Sequence, residues 1–309
     1  MEGNARIMRI SRRRMLLGAL GAAVLPVPAI GQTAPGETRR VPSTGETVPA
    51  VGLGTWITFN VGRDSRLLEQ CAAVMGAFFG EGGGMIDSSP MYGSSQDTVG
   101  HGLEKLGFPE TLLSAEKVWT SSPDEGPEQI AESRAEWRID GFDVMQVHNL
   151  LAWQGHLERL FAMKAAGRIR YVGITTSHGR RHDLLERIMR ERPIDFVQLS
   201  YNVADTEPED RILPLAREKG IGVIVNRPFR RGALIRRLEG EPLPAVARDL
   251  GADAWPEVIV KYILSHPAVT VTIPATTRVD HVRQNKRAAR GVLPDERQRR
   301  AIVQHFRDL

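Results

Sequence analysis

From Val48 onward, short apolar runs alternate with longer stretches in which apolar positions recur at helical spacing. The runs 51–53, 85–86, 112–118, 144–147, 171–174, 196–199, 221–225 and 269–273 read as strands. They are short and apolar at nearly every position, as strands covered on both faces are. Amphipathic segments 66–79, 98–106, 128–139, 154–166, 182–190 and 209–219 fall between them and predict helices. Strands alternating with helices point to a parallel β/α architecture, because parallel neighbours need a crossover connection. Ala166-Gly167 and Lys219-Gly220 put glycine just past a helix, where a left-handed residue turns the chain into the next strand. Ahead of the first strand, 39–48 reads as a hairpin with its turn at Thr44-Gly45, placed to plug the floor of a barrel. Between the seventh and eighth strands the helical material is doubled, at 234–238, 244–250 and 256–264, which predicts an extra helix before the last strand.

Polar residues stand where the apolar runs end. Asp87 and Tyr92 follow the second run, Lys117 lies near the end of the third and His148 closes the fourth. In a barrel of parallel strands those ends share one rim, so residues far apart in sequence can form one reaction centre. A free tyrosine holds its proton at neutral pH, with a pKa near 10, and nearby positive charge makes it a better acid. Lys117 is placed to supply that charge, Asp87 to keep the ammonium ionised and aimed, and His148 to hydrogen-bond a substrate oxygen as negative charge builds on it. Together they describe a site that protonates a carbonyl oxygen while a hydride arrives from elsewhere. Taken singly, each has a plainer reading: a cap, a loop anchor, a surface charge, a core imidazole. Their occurrence at successive strand ends favours the joint reading.

Charge and composition narrow the field. Residues 1–29 hold five arginines and one glutamate, which account for the whole formal net charge of +4 and leave the rest of the chain neutral. A neutral domain without basic runs interleaved with aromatics lacks the footprint of nucleic-acid binding. Ser11-Arg12-Arg13-Arg14-Met15-Leu16-Leu17, then an apolar run broken by Pro26 and Pro28, reads as a twin-arginine export signal over 1–34, cleaved near Ala29 or Ala34. Its apolar run is shorter than the roughly 20 residues a stable membrane span needs. An uncleaved basic tail, or a true start at Met8, is the alternative. Residues 35–309 then form one domain, expected to be a monomer in the periplasm. Cys71, the single cysteine, rules out an intramolecular disulfide and reads as a buried thiol inside a helix.

Four segments carry a family resemblance: Gly52-Leu53-Gly54-Thr55-Trp56, Ile86-Asp87-Ser88-Ser89-Pro90-Met91-Tyr92-Gly93, Glu116-Lys117-Val118-Trp119 and Val147-His148. They resemble the signature segments of the aldo-keto reductase superfamily. That resemblance implies a (β/α)8 TIM barrel, NADPH stretched across its C-terminal rim, and reversible reduction of aldehydes and ketones. It makes Tyr92 the general acid, Lys117 and Asp87 its tuning pair, and His148 the residue that orients the carbonyl. Gly54, Thr55, Trp56 and Asp87 fall on the cofactor side by the same resemblance. Thr175 and Thr176 occupy the place where the family carries Ser-Asn for the nicotinamide carboxamide, and Gln198 matches. Asn226, Arg227, Pro228, Phe229 and Arg231 resemble the pyrophosphate-side loop, with Asn226 where many members place a stacking aromatic. Ala275, Thr276, Thr277 and Arg278, with Gln284 and Asn285, resemble the segment holding the adenosine 2′-phosphate and adenine. The planar Arg278 fork favours NADPH.

No Gly-x-Gly-x-x-Gly follows a strand and no Walker-type phosphate loop occurs, so a Rossmann domain or an NTPase is unsupported. His178 and His182 have metal-pair spacing, but Gly179 between them and the lack of a nearby carboxylate favour a solvated loop, and no metal is expected. Trp56, Trp119 and His148 are expected to wall a substrate pocket, and Trp153 fits either that pocket or the core. The short stretch after Pro294 leaves little tail to close the mouth, so an open site for small carbonyl compounds is expected. A nucleotide-binding regulatory or sensor subunit with little turnover is the competing function, kept open by Thr176 and Asn226. Intact-mass measurement of the native protein is expected to show a chain beginning after Ala29 or Ala34, and a mass that includes Met1 overturns the leader.

Overall fold

The computed structural model describes residues 37–309; the predicted leader and its cleavage positions lie outside the described residues. Strands β1 (Thr38–Arg40) and β2 (Thr47–Pro49) pair antiparallel. Then β3 (Leu53–Gly54), β4 (Gly84–Asp87), β5 (Leu112–Val118), β6 (Val144–His148), β7 (Tyr171–Thr175), β8 (Phe196–Ser200), β9 (Gly222–Asn226) and β10 (Val269–Thr272) form one parallel sheet in sequence order. Parallel bridges Val51–Thr272 and Gly54–Ala275 join the first strand to the last, which makes the sheet a barrel. Helices α1 (Ser65–Gly80), α2 (Ser95–Leu106), α3 (Gly126–Trp137), α4 (Trp153–Ala165), α5 (His182–Glu191), α6 (Ile212–Lys219), α7 (Ala233–Arg237) and α8 (Trp255–Ser265) lie between the strands, and α9 (Val279–Ala288) and α10 (Glu296–Asp308) follow the last one.

Glycine makes the closure possible. A Cβ on Gly52 would come within 2.6 Å of the Met85 carbonyl oxygen, and one on Gly54 within 2.7 Å of that of Ile273. Those positions lie too close to the strands on both sides for any side chain. The first strand therefore differs from its expected form: Val51 bonds across to the last strand, and the ladder with β4 is made by Leu53 and Gly54. Inside the barrel, Met85, Leu113, Ala115, Val144, Phe196, Ile224 and Val271 pack with Val41 and Val48 of the N-terminal hairpin. The hairpin thus plugs the floor as expected, although its chain reverses through a longer loop, with the Val41 N–H bonded to the Glu46 carbonyl.

Gly220 takes the left-handed conformation that ends α6. Two expected helices are shorter than the pattern implied. Residues 209–219 yield a 3-10 turn at Glu207–Glu209 and a helix only from Ile212, with Pro208 beginning the turn and Pro214 in the first turn of α6. Residues 244–250 form only a 3-10 turn at Ala245–Ala247, so the extra helical piece before α8 is α7. At the C-terminus α10 packs on α8 and that turn. Arg299 fixes it there by donating to the Tyr262 carbonyl (2.7 Å), the Ser265 hydroxyl (2.6 Å) and Glu209 (2.6 Å). Among the described residues no helix is long and apolar enough to cross a membrane.

Candidate active site

All the strand ends named above face one rim. Lys117 is wholly buried, and its ammonium donates to Asp87 Oδ2 (2.7 Å) and to the Ser88 carbonyl (2.5 Å). The same nitrogen lies 5.0 Å from the centre of the Tyr92 ring. His148 meets Tyr92 edge-on at 5.8 Å between ring centres, and its Nδ1 lies 2.7 Å from the Ser89 hydroxyl. The structure therefore brings Asp87, Tyr92, Lys117 and His148 into one cluster.

A network of neutral groups holds the cluster. Asp87 Oδ1 accepts from Gln198 Nε2 (2.8 Å) and Gln146 Nε2 (3.3 Å), while Thr55 Oγ1 donates to the Asp87 carbonyl (2.9 Å). Gln198 Oε1 in turn accepts from Thr175 Oγ1 (3.2 Å) and Asn226 Nδ2 (3.2 Å). Asn226 also donates to the Thr176 carbonyl (2.9 Å) and accepts from Ser200 Oγ (2.7 Å). Asn226, where an aromatic was the family expectation, is thus a hydrogen-bond hub. Gln146 and Ser89 were missed in the sequence, though Gln146 sits two residues before His148 and so faces the same way along the strand.

Charge in the cluster is set by burial as much as by partners. Burial opposes the Lys117 charge, but Asp87, Tyr92 and Glu116 outweigh it and hold its pKa above the ordinary lysine value. Tyr92 departs from expectation: burial, with Asp87 and Glu116, outweighs the nearby ammonium and pushes the phenol up to about 12. Desolvation outweighs the single ammonium, and the phenol keeps its proton at neutral pH. Burial first, and the Lys117 charge second, press His148 down to about 2, so its ring is neutral.

A cavity of about 490 Å³ runs from this cluster along the rim. Its lining includes Gly54, Thr55, Trp56, Asp87 and Tyr92, then Asn226, Arg227, Pro228, Phe229 and Arg231, and Ala275, Thr276, Thr277, Arg278, Gln284 and Asn285. Arg236 joins the other three arginines on the wall, against Asp87 as the one carboxylate. Such an excess of guanidinium groups suits an anionic ligand. The Arg231 guanidinium lies 4.4 Å from the Trp56 ring centre, so the loops after β3 and β9 meet across the cleft.

Two buried side-chain atoms of this region have no hydrogen-bond partner, Thr176 Oγ1 and Arg227 Nη1. Orphaned polar atoms are costly to bury, and a ligand that satisfies them removes the cost. Thr175 and Gln198 lie behind the wall, spent on the Asp87 network. Arg278 lines the cavity, but its fork is engaged by Asp280 (2.6 and 3.0 Å) on an exposed surface. Trp119 stands at the mouth, 39% exposed and 6.4 Å from the His148 ring centre. Trp153 packs against the core. His178 and His182 take separate partners, Ser177 and Glu207.

The sequence profile of the Aldo/keto reductase family matches residues 50–302, and the chain belongs to that family. It is 25% identical over 242 residues to the NADH-specific methylglyoxal reductase of Escherichia coli (strain K12), spanning 67% of this chain and 71% of that protein. Aldo-keto reductase YhdN of Bacillus subtilis (strain 168) is 25% identical over 224 residues, spanning 66% of each chain. Among solved structures, the thermostable aldo-keto reductase Tm1743 in complex with the inhibitor epalrestat superimposes with a TM-score of 0.72 at 25% identity, covering 87% of this chain and 99% of that one. An aldo/keto reductase from Klebsiella pneumoniae in complex with NADP and acetate shares the fold, with a TM-score of 0.73 at 21% identity over 88% of this chain and 94% of that one. The eight-stranded barrel is the (β/α)8 TIM barrel of these reductases.

A His148 pKa held far below the ordinary value means that the unfolded chain takes up the proton first. Its contribution to stability is complete above about pH 6.5 and is lost as pH falls below that. Replacing His148 with Gln is expected to give a protein that loses less stability than the parent between about pH 7 and pH 5. Denaturant midpoints across that range check this, and equal losses in both proteins contradict it.

Proposed function

We propose that this reductase uses NADPH to convert aldehydes and ketones to alcohols, with Tyr92 as the proton donor. The observation that carries the reading is the buried Lys117–Asp87 pair beneath a protonated phenol, beside a neutral imidazole, at the end of an arginine-lined cleft. When bound, the cofactor supplies the hydride. Tyr92 gives its proton to the carbonyl oxygen as that oxygen gains charge. The Lys117 ammonium, fixed by Asp87, stabilises the phenolate left behind. The proposed mechanism places the single N–H of the neutral His148 ring on Nε2, with Nδ1 accepting from Ser89, so that Nε2 holds the substrate oxygen in line. Trp56 and Trp119 wall the substrate side.

Thr176 Oγ1 and Arg227 Nη1 are the unsatisfied groups that the nicotinamide end and the pyrophosphate would engage. Arg278 is taken as the holder of the 2′-phosphate. Its pairing with Asp280 is no bar, because an exposed, solvent-screened ion pair is weak and a phosphate can displace it. Support for NADPH over NADH rests on that fork and on the guanidinium-rich wall, while the E. coli relative is named as NADH-specific. The reading extends to a monomer in the periplasm, delivered folded by the twin-arginine machinery with its cofactor bound. The arginine pair ahead of the apolar run supports that route. No residue beyond Asn285 lines the cavity among those described, which supports a mouth open to small and medium carbonyl compounds.

Changing Tyr92 to Phe is expected to lower kcat/KM for aldehyde reduction by about 10²- to 10⁴-fold, the usual worth of a positioned acid. NADPH binding, read by quenching of tryptophan fluorescence, is expected to persist. Retention of most reductase activity overturns the role of Tyr92. Binding of NADPH by the parent without oxidation by any of a panel of aldehydes replaces the enzyme reading with the regulatory one.

A further inference from the structure

The mechanism above leaves one fully buried carboxyl unused. Glu116 precedes Lys117 on β5 and therefore points outward, into the layer between barrel and helices, while Lys117 points into the mouth. Its Oε2 accepts from Gln96 Nε2 of α2 (3.0 Å) and Trp137 Nε1 at the end of α3 (2.8 Å). Its Oε1 accepts from the Lys117 backbone N–H (2.8 Å). Every donor is neutral. α2 and α3 offer it no cation at hydrogen-bond distance, and its neighbour on β6, Met145, is apolar. The charged and titratable groups that act on it are Lys117 and Asp87, and it acts in turn on Tyr92.

We infer that Glu116 is a positioning residue that opposes ionisation of Tyr92 in the alkaline range, because its carboxylate, buried one residue from Lys117 among neutral donors, then shares that single ammonium with Asp87. This rests on the proposed role of Tyr92. Reduction needs the phenol loaded with its proton. Oxidation needs the phenolate, which takes the alcohol O–H proton as the hydride leaves the carbinol carbon for the oxidised nicotinamide. With Asp87 and Glu116 ionised, a single ammonium faces two carboxylates, and a phenolate would add a third negative charge to a buried centre. Charges packed this closely in a dry site interact strongly. Burial pushes the Glu116 carboxyl up to about 8, still below the phenol at about 12, so as pH rises Glu116 loses its proton first and Tyr92 must ionise against it.

The test compares Glu116→Gln with Glu116→Asp. The alkaline limb of alcohol oxidation is expected to move to lower pH by about one unit or more in the Gln variant, which removes the charge, and to stay near the parent in the Asp variant, which keeps it. A rate loss in Glu116→Gln with the limb unmoved, or an equal movement in Glu116→Asp, means that Glu116 is merely structural and overturns the inference. Phenolate absorbance, read as the difference between each protein and its Tyr92→Phe counterpart, reports the same shift without turnover. It separates failure of this inference from failure of the Tyr92 role itself. On the unaltered protein, infrared difference spectra across the alkaline range are expected to show a buried carboxyl ionising before the phenol, and the reverse order contradicts the inference.

Discussion

A lysine ammonium with no exposure to solvent depends on the carboxylate beside it, and the mouth of this barrel is organised around that dependence. Withdrawing either partner from a buried pair costs about 3–5 kcal/mol, because the charge left behind has neither water nor counter-ion. Lys117 receives Asp87 and the Ser88 carbonyl, and Asp87 receives two glutamine side chains as well. Thr55, Thr175, Asn226 and Ser200 then complete the bonding of those groups, so the ends of seven strands, β3 to β9, become one connected set. Against that background Thr176 Oγ1 and Arg227 Nη1 are left without a hydrogen-bond partner.

Barrel closure is what lets so many strands contribute. Gly52 and Gly54 let the first strand sit tightly between β4 and β10, and this carries Thr55 onto the Asp87 carbonyl and Trp56 to the edge of the cleft. Val41 and Val48 fill the opposite end, so the interior is a packed core and the polar chemistry is confined to one rim. The pleat of β5 puts its consecutive residues on opposite sides of the strand. Lys117 therefore reaches Tyr92 while Glu116 is sealed behind it, near enough to influence the phenol without touching substrate.

Alternation of apolar runs and amphipathic segments made the eight strands and most helices legible, because both follow from side-chain period alone. Asp87, Lys117 and His148 were legible because a polar residue closing an apolar run is conspicuous. Elsewhere the pattern misled. The run 244–250 has helical spacing but folds as a short turn, and 209–219 begins its helix late because prolines remove the N–H groups an earlier start would use. Gln146 and Ser89 were hidden, since their importance lies in what they touch across the barrel. The high Tyr92 pKa was also beyond reach: the sequence shows that a lysine is near, while desolvation and the outward-facing Glu116 depend on burial.

The most direct test of this account is a double-mutant cycle on Asp87 and Lys117, using Asp87→Asn, Lys117→Met and the two combined, with unfolding free energy as the readout. Each single change is expected to destabilise by about 3–5 kcal/mol, and the pair together by at least about 2 kcal/mol less than the sum, since the double variant leaves no buried charge without a partner. Losses that simply add would mean that the two groups are not coupled, and would contradict the view that this ion pair organises the site.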